Sequence, residues 1–100
     1  MNEYRVFVTP AAVKEIKALP GNMRQRVRSA VTELATQPRP SSSQELKQKL
    51  TPRETRRQRI ENWRIIYTVS DDEATIDVLG VRKRPPYDYG DLERLLDQFS

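Results

Sequence analysis

The sequence predicts an α+β domain with its elements in the order β-α-α-β-β-β-α. An antiparallel sheet would pack against an N-terminal helical hairpin, and a C-terminal helix would close the fold. Three observations carry this. Two segments with apolar residues at helical spacing, around residues 10–19 and 22–34, are separated only by Pro20-Gly21. Residues 56–81 are dominated by period-two and continuously apolar, β-branched runs. Leu92, Leu95, Leu96 and Phe99 then form a last helical stripe. One hundred residues without a compositional break read as a single domain, residues 1–100.

Tyr4, Val6 and Val8 alternate with Arg5 and Phe7, as in a short strand. Thr9-Pro10 is a helix start, a capping hydroxyl followed by proline at the first helical position. Ala12, Val13, Ile16 and Leu19 give the first helix its stripe, and Pro20-Gly21 stops it. Asn22 is the expected cap of a second helix, whose apolar face is Met23, Val27, Ala30, Val31 and Leu34. Arg24, Arg26 and Arg28 lie off that stripe as a solvated face, and Pro38 and Pro40 end the helix. Pro38 to Ser43 reads as a polar, flexible loop. Leu46 and Leu50 anchor either a helical turn or extended chain, with Lys47 and Lys49 outward.

From Arg56 the period becomes two, so Arg57 and Arg59 share one face while Gln58 and Ile60 share the other. Glu61-Asn62 is the expected hairpin turn. Trp63 to Val69 is apolar on both faces apart from Arg64, Thr68 and a tyrosine hydroxyl, the pattern of a central strand. Asp71-Asp72 turns the chain into a strand over Thr75–Val81, which delivers Arg82, Lys83 and Arg84. Pro85-Pro86 blocks further pairing, and Asp88 to Phe99 is the final helix.

Composition narrows the chemistry. Eighteen Lys and Arg against fourteen Asp and Glu leave a net charge of +4, which favours an anionic partner. There is no cysteine, hence no disulfide and no thiolate metal site. There is no histidine, so imidazole acid–base catalysis, His-activated nucleophiles and His-ligated metals are excluded. No metal or cofactor is expected. Met1-Asn2-Glu3-Tyr4 lacks the basic-then-apolar pattern of a secretory signal, and no apolar run spans a bilayer, so a cytoplasmic location without membrane contact is expected.

The cations are concentrated. Arg56, Arg57, Arg59 and Arg64 fall within nine residues leading into the central strand, and Arg82-Lys83-Arg84 ends another strand, with Tyr87 and Tyr89 beyond. The two clusters are expected to meet and bind a polyanion, RNA above all. Arg64, inside an apolar strand, needs a partner, either Glu61 or Asp77. Trp63 can stack a base or pack the core.

At these residues the chain resembles the RelE/ParE toxin superfamily over nearly its whole length. The resemblance rests on the opening strand running into Ala12-Val13-Lys14-Glu15-Ile16-Lys17-Ala18-Leu19-Pro20 and on the second helix ending near Pro38. It continues in Arg59-Ile60 with Trp63-Arg64-Ile65-Ile66-Tyr67, and in Val78-Leu79-Gly80-Val81-Arg82-Lys83-Arg84 with tyrosine beyond. It implies a type II toxin with a cognate antitoxin, in a possible hetero-oligomer, acting either as a ribosome-dependent mRNA endoribonuclease or, in the ParE branch, as a gyrase inhibitor without nuclease activity. A non-catalytic basic RNA-binding domain is the third reading.

The mRNA-cleaving branch uses basic residues on the second strand, an arginine opening the third, an arginine ending the fourth and a tyrosine after it. Those places fall on Arg57 and Arg59, Arg64, Arg84, and Tyr87 or Tyr89. Two departures are the second-strand arginines, where lysine is common in that branch, and Pro85-Pro86, which changes the spacing to the tyrosine. The expected catalytic set is therefore Arg59, Arg64, Arg84, Tyr87 and Tyr89. Arg57, Lys47, Lys49, Arg56, Arg82 and Lys83 are the expected RNA contacts.

Overall fold

The computed structural model describes residues 3–46 and 53–83. The helix expected over 88–99 therefore lies outside the described residues. Among these, the order is β1 (Arg5–Val8), α1 (Pro10–Lys17), α2 (Gly21–Glu33), β2 (Ser43–Glu45), β3 (Glu54–Ile60), β4 (Trp63–Ser70) and β5 (Thr75–Lys83). The strands form one sheet, ordered β1-β5-β4-β3-β2, with β4 in the middle as its two-faced apolar sequence requires. Neighbours from β2 to β5 pair antiparallel, while β1 joins β5 in parallel, so the sheet is mixed.

Thr9 caps α1 as its sequence predicts, its hydroxyl accepting from the Ala12 N–H at 3.1 Å with Pro10 at the first helical position. The cap of α2 differs from expectation. Pro20 holds the N-cap position in extended geometry and its carbonyl accepts from the Arg24 N–H at 2.8 Å, which leaves Asn22 inside the first turn, accepting from its neighbour Met23. The helix ends at Glu33, ahead of the prolines. Its stripe Met23, Val27, Ala30, Val31 and Leu34 is buried throughout. With Ala12, Ile16 and Leu19 it packs on one sheet face, against Ile60, Ile65, Tyr67, Val69, Ile76, Val78 and Val81. Of the off-stripe arginines, Arg26 pairs with Glu61 at the β3–β4 turn (2.9 Å), and Arg24 donates to the Leu19 carbonyl (3.2 Å).

The Glu61-Asn62 turn is present, with Ile60 opposite Trp63 and Glu61 at φ 52°. A left-handed conformation in a residue with a Cβ costs about 1 kcal/mol, met here by the surrounding strand pairing. A bulge between Ile66 and Tyr67 shifts the β4–β5 register, so Ile66 faces Gly80 while Tyr67 faces Val78.

The segment between α2 and β3 departs most from its sequence reading. Pro38 to Ser43, expected as a flexible loop, is a strap tied at several points, and it runs into β2, a strand the pattern did not reveal. The buried Tyr67 hydroxyl donates to the Pro38 carbonyl at 2.8 Å. Arg39 bridges Glu54 (2.8 Å) and Asp71 (2.9 Å), and Asp71 also accepts from the Tyr4 hydroxyl at 2.5 Å. Arg56 binds Glu54 (2.8 Å) and the Ser43 hydroxyl (2.9 Å), which itself donates to the Pro40 carbonyl (2.7 Å).

The hydrogen bond from Arg39, with help from Arg56, holds the Glu54 carboxyl below the usual range. Tyr4 and then Arg39 do the same for Asp71. A depressed folded-state pKa contributes stability above the unfolded carboxylate value that disappears as pH falls through the folded one. Asp77 opposes this, because burial raises its carboxyl despite the 2.7 Å ion pair with Arg53. Stability is accordingly expected to fall on acidification below about pH 4, near the unperturbed carboxylate values. Glu54→Gln should flatten that acid limb in denaturant midpoints measured from pH 7 to pH 3.

Candidate functional site

On the sheet face turned away from the helices, β-strand alternation places arginines side by side. Arg59 is in register with Arg64, and Arg64 with Arg82, a row of three cations across three neighbouring strands. Directly opposed residues on a sheet lie about 4.5–5.5 Å apart at Cβ, where like charges repel. Such a row lowers stability unless something anionic answers it. Glu15 of α1 answers Arg82, with Oε2 3.1 Å from Nε, while Glu15 Oε1 accepts from the Val81 N–H at 2.9 Å. Glycine at position 80 makes room for this, since a Cβ there would lie 2.7 Å from Glu15 Oε1.

Arg64 is 8% exposed and donates to the Glu61 and Trp63 carbonyls at 3.0 and 2.9 Å. Neither carboxylate expected for it is its partner: that of Glu61 pairs with Arg26 and that of Asp77 with Arg53. The reason is geometric, because the tight turn brings two carbonyls to the guanidinium before any side chain can reach it. Among the described residues, neither Arg59 nor Arg64 forms an ion pair with a carboxylate.

These two arginines line an open groove of about 630 Å³ together with Arg57, Ser41, Ser42, Ser43 and Gln44. The strap and β2 form its second wall. They are held by the Arg59 N–H donating to the Ser42 carbonyl (3.1 Å), and Arg57 donates to Gln44 Oε1 (3.4 Å). The groove thus sets guanidinium forks, suited to the oxygens of a phosphate, opposite neutral hydroxyl and amide groups.

The expected site residues divide accordingly. Arg57, Arg59 and Arg64 come together in the groove, and Arg82 extends their row. Arg56 points to the helix side of β3 and braces the strap. Lys83 is exposed, in register with Trp63 on the helix side, and Trp63 packs against the core cluster rather than beside the arginines. Lys47, Lys49, Arg84, Tyr87 and Tyr89 lie outside the described residues. The serine wall and Glu15 went unnoticed in the sequence. The run Ser41-Ser42-Ser43 was visible, but nothing local tied it to β3.

Replacing Arg59 should relieve repulsion while weakening anion binding. Arg59→Gln is expected to raise stability by about 0.5 kcal/mol, seen as a melting-temperature rise of roughly 2–4 °C.

A family model described as the ParE toxin of type II toxin–antitoxin systems matches residues 6–85, and the chain belongs to that family. Solved structures agree in fold. RelE in the RelE–RelB complex of Pyrococcus horikoshii is 25% identical, with a TM-score of 0.74 over 87% of this chain and 100% of that one. The RelBE2 toxin–antitoxin complex of Mycobacterium tuberculosis gives 24% identity and a TM-score of 0.70 over 82% and 99%. Isolated RelE of E. coli gives 18% and 0.67 over 97% and 99%. No curated protein sequence matches the chain. The protein is a toxin of a type II toxin–antitoxin module.

Proposed function

We propose that this toxin is a metal-independent endoribonuclease that cuts mRNA on the ribosome, in the cytoplasm, and is silenced by a cognate antitoxin. The observation that carries the reading is the Arg59–Arg64 pair, two opposed cations without a carboxylate partner among the described residues, facing a groove large enough for a nucleotide. The partner reading follows from the family and from the solved relatives, several of which are complexes with RelB antitoxins.

Without histidine, cleavage relies on the RNA's own 2′-hydroxyl. Its oxygen bonds to the adjacent phosphorus, its proton leaves to a base, and the bond from phosphorus to the 5′-oxygen breaks as that oxygen takes a proton from solvent water. The products are a 2′,3′-cyclic phosphate and a 5′-hydroxyl. Arg59 and Arg64 hold the phosphate and stabilise charge on its oxygens, with Arg57 assisting. Tyr87 or Tyr89 takes the 2′-OH proton, and Arg84 assists the leaving group. Arginine itself stays protonated and acts through charge and geometry.

The ParE family match favours one other reading, inhibition of DNA gyrase. The two separate cleanly. Purified toxin mixed with programmed ribosomes should cut the message, and gyrase supercoiling should proceed unhindered. Intact mRNA at high toxin concentration, with supercoiling blocked, would overturn the nuclease reading.

A further inference from the structure

The two walls of the groove have different chemistry, and the mechanism above uses only one. Arginine side chains only donate hydrogen bonds, which suits phosphate oxygens but leaves a ribose hydroxyl proton without an acceptor. Serine hydroxyls both donate and accept, and glutamine offers both functions at one amide. The three strap serines are also not equivalent. Ser43 is occupied, receiving Arg56 at 2.9 Å and donating to Pro40 at 2.7 Å. Ser42 lines the groove and is exposed, and its hydroxyl accepts a long contact from Gln58 Nε2 (3.3 Å). Gln44 is exposed too, and its Oε1 accepts from Arg57 (3.4 Å).

Strand pairing of Gln44 with Arg57 and the hydrogen bonds around it hold this wall in place. Ser42 is joined to Arg59, the Leu46 N–H donates to the Thr55 carbonyl at 2.8 Å, and Arg39 and Tyr67 hold the strap's far end. A wall held this firmly is ordered before its ligand arrives, so little conformational freedom is lost on binding.

We infer that Ser42 and Gln44 contact the sugar and base edge of the nucleotide whose phosphate Arg59 and Arg64 hold, and so make the groove prefer RNA to DNA. This rests on the proposed RNA site. Ser42 would meet the 2′-hydroxyl, the one group that distinguishes the two nucleic acids in a single strand. Gln44 would donate to a ribose or base oxygen.

The test is binding of a single-stranded RNA decamer and the DNA decamer of matching sequence, measured by fluorescence anisotropy on the purified chain. The wild type should prefer RNA. The Ser42→Ala/Gln44→Ala double variant should lose about tenfold in RNA affinity, the effect of two neutral hydrogen bonds. Its DNA affinity should stay within about twofold of wild type, since the phosphate contacts are intact. Each single substitution should show part of the loss, and both side chains are exposed, so folding is not at stake. Arg59→Ala should weaken RNA and DNA alike and make the salt dependence shallower by about 0.7 in log–log slope. Undiminished RNA preference in the double variant, with Arg59→Ala still weakening both ligands, overturns the strap's role and leaves the RNA site standing. Failure of the wild type to bind either decamer, or indifference to Arg59→Ala, overturns the RNA site itself, and the strap's role with it.

Discussion

Arg64→Ala is expected to reduce mRNA cleavage on programmed ribosomes by about 10²–10³-fold, the usual loss when one preorganised donor to a developing oxyanion is removed. The size follows from how Arg64 is held. Two backbone carbonyls and near-complete burial fix its guanidinium in the floor of the groove, so no reorganisation is required when charge builds on the phosphate. Folding should survive at a modest cost. The two lost hydrogen bonds, each of about 1 kcal/mol, are only partly offset by relief of like-charge repulsion, and the total stability of a small domain is larger. Arg64→Lys is the sharper companion. It keeps the charge but loses the planar fork, and should recover only a small part of the rate. A rate loss explained by unfolding of the variant at the assay temperature would instead mark Arg64 as structural.

The largest stability effect is expected at Tyr67, which is fully buried in the centre of the helix-side core. Tyr67→Ala should lower the unfolding free energy by roughly 3–5 kcal/mol, through lost packing and the cavity left behind. Tyr67→Phe should cost only about 1 kcal/mol, because it deletes the hydroxyl that donates to Pro38 and keeps the ring. Against a total of about 5–15 kcal/mol for a small domain, the alanine variant is severely weakened. Urea unfolding of both variants separates the two contributions. The phenylalanine variant should also loosen the strap, so its RNA affinity should fall slightly at temperatures where the domain is still folded.

What was legible in the sequence was whatever short-range periodicity encodes. The stripe from Met23 to Leu34, the turn at Glu61-Asn62 and the shared face of Arg57 and Arg59 all follow from spacings of two to four residues, and the structure has each of them. The same alternation puts Arg56 on the opposite face, where it binds Ser43 and Glu54. What was not legible depends on partners far apart in the chain. Glu15 meets Val81 across 66 residues, Arg39 meets Asp71 across 32, and neither side of either pair carries a local signature. β2 is three polar residues that become a strand only because the edge of β3 is there to pair with them. Asn22 looked like a cap because asparagine suits that position, but Pro20 already occupied it.

The measurement closest to the central claim is an NMR titration of ¹⁵N-labelled toxin with a short single-stranded RNA, read at the arginine side-chain Nε–Hε signals. The signals of Arg59 and Arg64 should shift together and saturate at one equivalent, with smaller changes at Arg57, while Arg26 and Arg28 on α2 stay still. Saturating shifts confined to the α2 arginines, with Arg59 and Arg64 unmoved, would contradict the groove as the RNA site.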